Sequence, residues 1–444
     1  MLSSSHVLHR HCHFEKPMAV SGEGCYITDH LGKQYLDGSG GAAVSCLGHG
    51  DKDVTEAMKA QLDQIAFAHT GFFTSEAAEQ LADLLIKNAP GNLDRVYLVS
   101  GGSEAVEAAL KLARQYFIEV NQPQRSHVIA RRQSYHGNTL GALAVGGNQW
   151  RRQPFLPLLV EMSHISPCYT YRDLNQGETE VDYGLRVANE LESEILAVGE
   201  DKVMAFVAEP IVGATMGAVP AVEGYFKRIR EICDQYGVLL ILDEVMCGMG
   251  RSGKLYACEH DDIVPDLLCM AKGLGAGYQP IGAMLASDEI YQAVAQGSGY
   301  FQHGHTYIGH PVACAAALAV TQKVINHGLL SQVRKRGDYL HAALNHSLGA
   351  HPHVGDIRGL GLFRGIELVA DRTSKAPLNA SLGTAAKVKK AAFEAGLICY
   401  PMAGTIDGVK GDHILLAPPF IISEVQIDEL VAKLSQAIHE VLSP

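Results

Sequence analysis

Ile241-Leu242-Asp243-Glu244-Val245, together with Lys272 further along the chain, is the stretch whose reading decides the fold. Val238 to Leu242 is an unbroken apolar run, which predicts a strand buried on both faces of a parallel sheet, and the run stops on an acid. A second short apolar run, Leu267-Leu268-Cys269-Met270, delivers Ala271-Lys272-Gly273. In open α/β sheets, ligands bind beyond the carboxyl ends of such strands. One strand end therefore offers a carboxylate and another offers an amine.

That pair suits pyridoxal 5′-phosphate (PLP). A lysine can hold the cofactor aldehyde as a Schiff base, and an aspartate can keep the pyridine nitrogen protonated so that the ring takes up electrons. Alone, the two could equally be surface charges beyond a strand. The other strand ends shift that balance. Tyr97-Leu98-Val99 reads as a short strand, followed by Ser100-Gly101-Gly102-Ser103 and a helix with Val106, Ala109, Leu110, Ala113 and Phe117 on one stripe. A glycine turn feeding a helix start presents unpaired N–H groups that fit a phosphate. Ser103 could both cap that helix and bond a phosphate oxygen, although a capped turn without a ligand explains the stretch as well. After His127-Val128-Ile129-Ala130 comes Tyr135-His136-Gly137, whose phenol ring could stack on a flat cofactor. Val203 to Ala208 predicts a strand stopped by Glu209-Pro210. A helix from Tyr225 to Tyr236, ending on Gly237, leads into the Asp243 strand and predicts a βαβ unit.

Outward from these strand ends, 444 residues are too many for a single core. Apolar residues make up 47% and charged residues 19%, the balance of a soluble globular protein. A formal charge of −12 argues against a nucleic-acid surface. No apolar run is long enough to span a bilayer, and the polar, histidine-rich start is not a secretory signal. The ten cysteines include no C-x-x-C pair, so free buried thiols and a cytoplasmic location are expected. His9, His11, Cys12 and His13 have no second ligand group, and no metal site is expected.

Cys25–Asp29 and Lys33–Asp37 flank His30-Leu31-Gly32 as a β-hairpin. Helices are predicted over Val54–Ile65 and Ser75–Lys87, with Phe72-Phe73 in the loop between them, lining either a substrate mouth or a neighbouring subunit. Gly273 to Gly282 reads as a glycine-rich loop, and a small-residue helix begins at Pro311. Gly248-Met249-Gly250-Arg251-Ser252-Gly253 matches G-x-G-x-x-G, and with Lys254 it nearly matches a P-loop. Leu255 stands where a P-loop needs a hydroxyl, and Asp243-Glu244 would repel a pyrophosphate. The expected organisation is 1–65 as the N-terminal segment of a small domain, 66–326 as a large domain and 327–444 as the rest of the small domain.

With these strand ends lined up, the chain resembles the class III aminotransferases, PLP-dependent enzymes of fold type I. The resemblance rests on Leu242-Asp243-Glu244-Val245-Met246-Cys247-Gly248-Met249-Gly250-Arg251-Ser252-Gly253 with Asp266-Leu267-Leu268 and Ala271-Lys272-Gly273 after it. It implies an α/β large domain with a mostly parallel central sheet flanked by helices, plus a smaller α+β domain built from both chain ends. It further implies that Lys272 forms the internal aldimine and shuttles the proton in a ping-pong exchange. Asp243 would pair with the pyridine nitrogen, Val245 and Tyr135 would hold the two ring faces beside His136, and Glu209 would sit by the phenolic edge. Gly102 and Ser103 would match the phosphate turn, and Thr306 of His305-Thr306-Tyr307 would reach the phosphate of a neighbouring subunit. The resemblance also implies a homodimer with active sites at the interface, with a tetramer left open.

Two departures bear on substrate. Tyr400, ahead of Ala417-Pro418-Pro419-Phe420, stands where many ω-transaminases of this family carry a carboxylate-binding arginine, and Ala214 comes after Glu209-Pro210-Ile211-Val212-Gly213 where ornithine- and GABA-type members carry a glutamate. A tyrosine cannot supply a bidentate charged clamp. The expectation is an amine or ω-amino donor with a pyruvate-like keto acid as acceptor. An aminomutase, racemase or decarboxylase on the same cofactor is the alternative. Tyr400, Phe72 and Trp150 are the candidates for the substrate side, and Arg251 and Arg358 are further arginines near the motifs.

Overall fold

The apolar runs that end on Asp243 and before Lys272 are adjacent parallel strands, Leu239–Asp243 and Leu267–Met270, with Ile241 opposite Leu267. The structure is a computed structural model and describes residues 5–13 and 15–442. Both strands are buried along their whole length, which is why they read as continuous apolar runs instead of alternating ones. They lie in the middle of a seven-stranded sheet of spatial order Leu93–Val99, Gly282–Ser287, Leu267–Met270, Leu239–Asp243, Val203–Ala208, His127–Arg131 and Ser163–Ile165. Gly282–Ser287 runs antiparallel to both of its neighbours, so the other six strands point one way.

Helices link the parallel strands and cover the sheet. Gly102–Glu119 buries Ala105, Val106, Ala109, Leu112 and Ala113 against it. Tyr225–Tyr236 buries Phe226, Ile229 and Ile232, and ends on Gly237 at φ 62°. That is the left-handed conformation in which a glycine avoids the Cβ penalty. Pro311–Asn326 begins with proline, whose missing N–H would have no partner in a first turn, and is buried on most of its faces.

A smaller α+β unit completes the molecule. Val354–Leu360, Phe363–Leu368, Asp412–Leu416 and Tyr400–Ala403 form an antiparallel sheet. It is accompanied by helices Leu329–Leu348, Thr384–Glu394 and Glu424–Leu442. The N-terminal hairpin, Tyr26–Asp29 with Gln34–Asp37, gains a parallel strand from Leu397–Ile398, so both ends of the chain share one sheet. Ala19–Glu23 adds an outer strand that the apolar pattern does not predict. Helix Lys52–Gln64 packs on Pro311–Asn326.

Two local features concern glycine-rich segments. The glycine-rich segment after Lys272 is a loop only until Gly282, which opens the antiparallel strand; a Cβ there would come 2.6 Å from the Gly101 carbonyl oxygen, so glycine lets the strand lie against that turn. The G-x-G-x-x-G segment feeds no α-helix; the next element is the single 3₁₀ turn Ala257–His260. Arg251 in its centre is buried, donates to the carbonyls of Leu362 and Pro418, and lies over the Phe420 ring at 4.6 Å. The segment is a joint between the two units. Among the described residues no helix is long and apolar enough to cross a membrane.

Candidate active site

Because the six parallel strands share a direction, their carboxyl ends lie along one edge of the sheet. The ends at Val99, Arg131, Ala208, Asp243 and Met270 deliver Ser100 to Ser103, Tyr135 and His136, Glu209, Asp243 and Lys272 to the lining of one cavity of about 370 Å³. That volume is at the small end of ligand pockets.

Lys272 opens a short 3₁₀ turn at φ +46°, a left-handed conformation unfavourable for a residue with a Cβ. Its amine makes no hydrogen bond or ion pair with any described residue. Burial lowers its pKa to about 8, with Asp243 and Glu209 acting in the opposite sense. The group is thus a nucleophile with a substantial neutral fraction near physiological pH.

Asp243 is held from two sides. His136 Nδ1 donates to Oδ2 at 2.7 Å, and the Val245 N–H donates to Oδ1 at 2.9 Å. The His136 ring is buried, and its Nε2 has no partner. Glu209 bridges two segments: Oε1 accepts from the Tyr135 N–H at 3.1 Å and Oε2 from the Gly213 N–H at 2.9 Å. Burial, with the charge of Asp243, pushes the Glu209 carboxyl above its ordinary range, while His136 opposes the rise.

The turn at Gly101 and Gly102 caps its helix differently from the expectation. Gly101 occupies the N-cap with no side-chain cap bond, and Glu104 instead accepts from the Ser100 N–H at 2.8 Å. Ser103 Oγ accepts from the Asn138 N–H at 3.1 Å, tying the Tyr135 loop to the helix start. A Cβ on Gly102 would stand 2.8 Å from Val245 Cγ1, so the turn and the segment after Asp243 are in contact through a glycine. A Cβ on Gly101 would meet nothing within 4 Å.

Thr306 is exposed and lines no part of this cavity within one chain. Phe72 and Trp150 are exposed outside its lining, and Tyr400 packs against a neighbouring apolar cluster that includes Met246 and Phe363. Arg251 is occupied by the two carbonyls described above. Arg358 is occupied by Glu367 at 2.7 Å and Asp356 at 2.8 Å. The loop after Lys272 contributes Gly277, Gln279 and Ile281 to the cavity wall; sequence reasoning missed Val44 there, and it missed Arg151, whose guanidinium lies 4.5 Å from the centre of the Tyr135 ring. No motif surrounds Arg151. It sits on the single turn Gln149–Arg152, and only the fold brings it to Tyr135.

PLP requires an amine for its aldehyde, an acid for its ring nitrogen and donors for its phosphate. The cavity presents an unpartnered lysine amine, an aspartate that accepts two hydrogen bonds, and the free N–H groups of an 18-residue helix start beside open space. The residues fit the cofactor. Fold and site thus define a PLP enzyme built on a mixed, mostly parallel sheet with a smaller second domain.

Comparison with known proteins narrows the class. The profile of the Aminotransferase class-III family matches residues 10–438. An uncharacterised aminotransferase of Schizosaccharomyces pombe is 46% identical over 423 residues, covering 95% of this chain and 92% of that protein. The structure of an (S)-enantioselective omega-transaminase from Thermomicrobium roseum superposes with a TM-score of 0.90 at 35% identity, covering 96% of this chain and 93% of the other. A PMP-bound aminotransferase from Vibrio fluvialis superposes with a TM-score of 0.89 at 32% identity, again covering 96% and 93%. The chain belongs to the class III aminotransferases, and is a PLP-dependent enzyme acting on an amine donor and a keto-acid acceptor.

Proposed function

We propose that this aminotransferase moves the amino group of an amine or ω-amino compound to a small keto acid of the pyruvate type, in two half-reactions of a ping-pong exchange. The observation that carries the reading is the unpartnered Lys272 amine facing Asp243 across a small cavity. PLP, when bound, supplies the aldehyde that carries the amino group and the ring that takes up electrons. Lys272 Nζ tethers the cofactor, then accepts a proton from the amine-bearing carbon and returns it on the other side of the exchange. Asp243, oriented by His136 Nδ1, holds a proton at the ring nitrogen. Tyr135 and Val245 would hold the ring faces, Gly102 and Ser103 would receive the phosphate, and Glu209 would stand by the phenolic edge.

The ω-transaminase relationship of the Thermomicrobium roseum structure supports the donor class. Tyr400, standing where many relatives carry an arginine, offers no charge for a second carboxylate. A homodimer is part of the reading. Phe72 and Phe73 are 82% and 69% exposed, and Tyr307, beside Thr306, is 61% exposed and packs edge-on against Phe67 at 5.7 Å. Such an exposed aromatic patch suits a second copy of the chain, which would place Thr306 at the partner's phosphate. The ten unpaired cysteines suit a reducing, cytoplasmic setting.

The test is the absorbance of the holoenzyme before and after single amine donors, with no acceptor present. Loss of the cofactor's visible band with an equal amount of carbonyl product supports the reading, as does recovery of the band on adding pyruvate. Turnover of a donor without net transfer to any keto acid would indicate a mutase or racemase instead.

A further inference from the structure

From the geometry we infer that Arg151 is the substrate-binding residue that receives the anionic end of the acceptor keto acid. The inference rests on the transaminase reading above and names the group that reading lacked.

Tyr135 lines the cavity, and Arg151 covers its ring with Cζ 4.5 Å from the centroid. The guanidinium makes no side-chain hydrogen bond and no ion pair with any described residue, and its Nε is buried with no acceptor. A buried donor of this kind is costly unless something accepts from it. Stacking on an aromatic face leaves the in-plane N–H groups free, and those are the groups that grip a carboxylate in bidentate fashion. Three other arginines already donate to partners, and Arg10, the other cation acting on Tyr135, is exposed. Arg251 donates to two carbonyls, Arg358 is paired with Asp356 and Glu367, and Arg131 donates to the Glu209 carbonyl.

The charge is also directed toward the chemistry. Burial raises the Tyr135 phenol, and Arg151 and Arg10 both act against that rise; burial lowers the Lys272 amine, and Arg151 adds to the lowering. A cation whose field reaches both the ring and the lysine stands within range of a substrate held between them. One open guanidinium over Tyr135, with Tyr400 uncharged, matches a monocarboxylate better than a dicarboxylate.

Trp150 is the only tryptophan of the chain and lies 5.7 Å from the same guanidinium, so binding at Arg151 has its own reporter. The experiment titrates the holoenzyme and its R151Q and R151K variants with acetate, then with neutral acetamide, reading Trp150 emission without turnover. A saturable change with acetate is expected in the wild type, weakened in R151K, lost in R151Q and absent with acetamide. In steady-state assays, the KM for pyruvate is expected to rise about 10- to 150-fold in R151Q, the loss of a charge-assisted hydrogen bond. The preference for pyruvate over acetaldehyde should fall by at least about tenfold, because the aldehyde has no group for the guanidinium to bind. A flat acetate titration in the wild type, or an unchanged one in R151Q, overturns the assignment and leaves Arg151 as packing for Tyr135. So does an equal loss for pyruvate and acetaldehyde. A wild type that answers acetate but transfers no amino group to pyruvate instead overturns the choice of acceptor and leaves the anion site standing.

Discussion

Adding one methyl group at Gly102 tests whether the turn and the Asp243 segment form one unit. The Cβ of an alanine there would lie 2.8 Å from Val245 Cγ1 and 3.0 Å from Cγ2. Ordinary carbon contacts lie near ~3.5–4.0 Å, so the valine would have to retreat by roughly 0.7 Å or more. Rotation about χ1 offers no escape, because a β-branched side chain replaces one methyl with another. Retreat of the backbone is resisted by the Val245 N–H bond to Asp243 Oδ1 at 2.9 Å. Overpacking of this kind costs about 1–3 kcal/mol. G102A is therefore expected to lower the unfolding free energy of the cofactor-free protein by that amount, measured by denaturant titration. G101A, whose new methyl meets nothing within 4 Å, should leave it unchanged. V245A removes both γ carbons, so the double variant G102A/V245A should lose less than the sum of the two single changes. Strictly additive losses, or equal losses in G101A and G102A, would refute the contact.

Lys272→Ala should abolish transamination and the covalent link to PLP; borohydride reduction followed by peptide mass analysis should mark Lys272 in the wild type and no peptide in the variant. Because the Lys272 pKa is lowered to about 8, its neutral form predominates above that pH. The rate of PLP attachment to the cofactor-free protein should accordingly climb as pH rises toward about 8 and level off beyond it, whereas an ordinary lysine would keep accelerating past pH 10. His136→Phe removes the donor to Asp243 Oδ2 and should weaken PLP retention about 10-fold or more, read by equilibrium dialysis, since a charge-assisted bond contributes about 1.5–3 kcal/mol. Arg251→Met should lower the melting temperature while leaving the KM of both substrates near the wild-type value, because the guanidinium is occupied by the Leu362 and Pro418 carbonyls.

Much of the site can be read along the chain because it is built at strand ends. An apolar run that stops on Asp243, another that hands over to Lys272, and a third that stops at Glu209 are local signals, and the sheet aligns their ends by the shared direction of its strands. The strand Gly282–Ser287 escaped notice because its glycine, alanines and serine carry little β signal; it exists because both neighbouring strands supply backbone partners. Ser103 looked like a helix cap by position, yet its hydroxyl serves Asn138, which lies close only after the Tyr135 loop has folded onto the helix start. The glycines after Asp243 match a nucleotide motif that Leu255 and Asp243-Glu244 already argue against in sequence; only the structure adds that the buried Arg251 makes them a joint.

By itself, then, the order of residues determined the central parallel strands, the edge at which they end and the delivery of Asp243 and Lys272 to that edge, since each depends on hydrophobic runs and their terminators. Tertiary structure alone decided that Gly102 must be glycine, that His136 holds Asp243, and that Arg151 stands over Tyr135 while Arg251 and Arg358 face inward. Those relations join residues far apart in sequence through contacts of a few ångströms, and packing at that distance leaves no periodic trace in the chain.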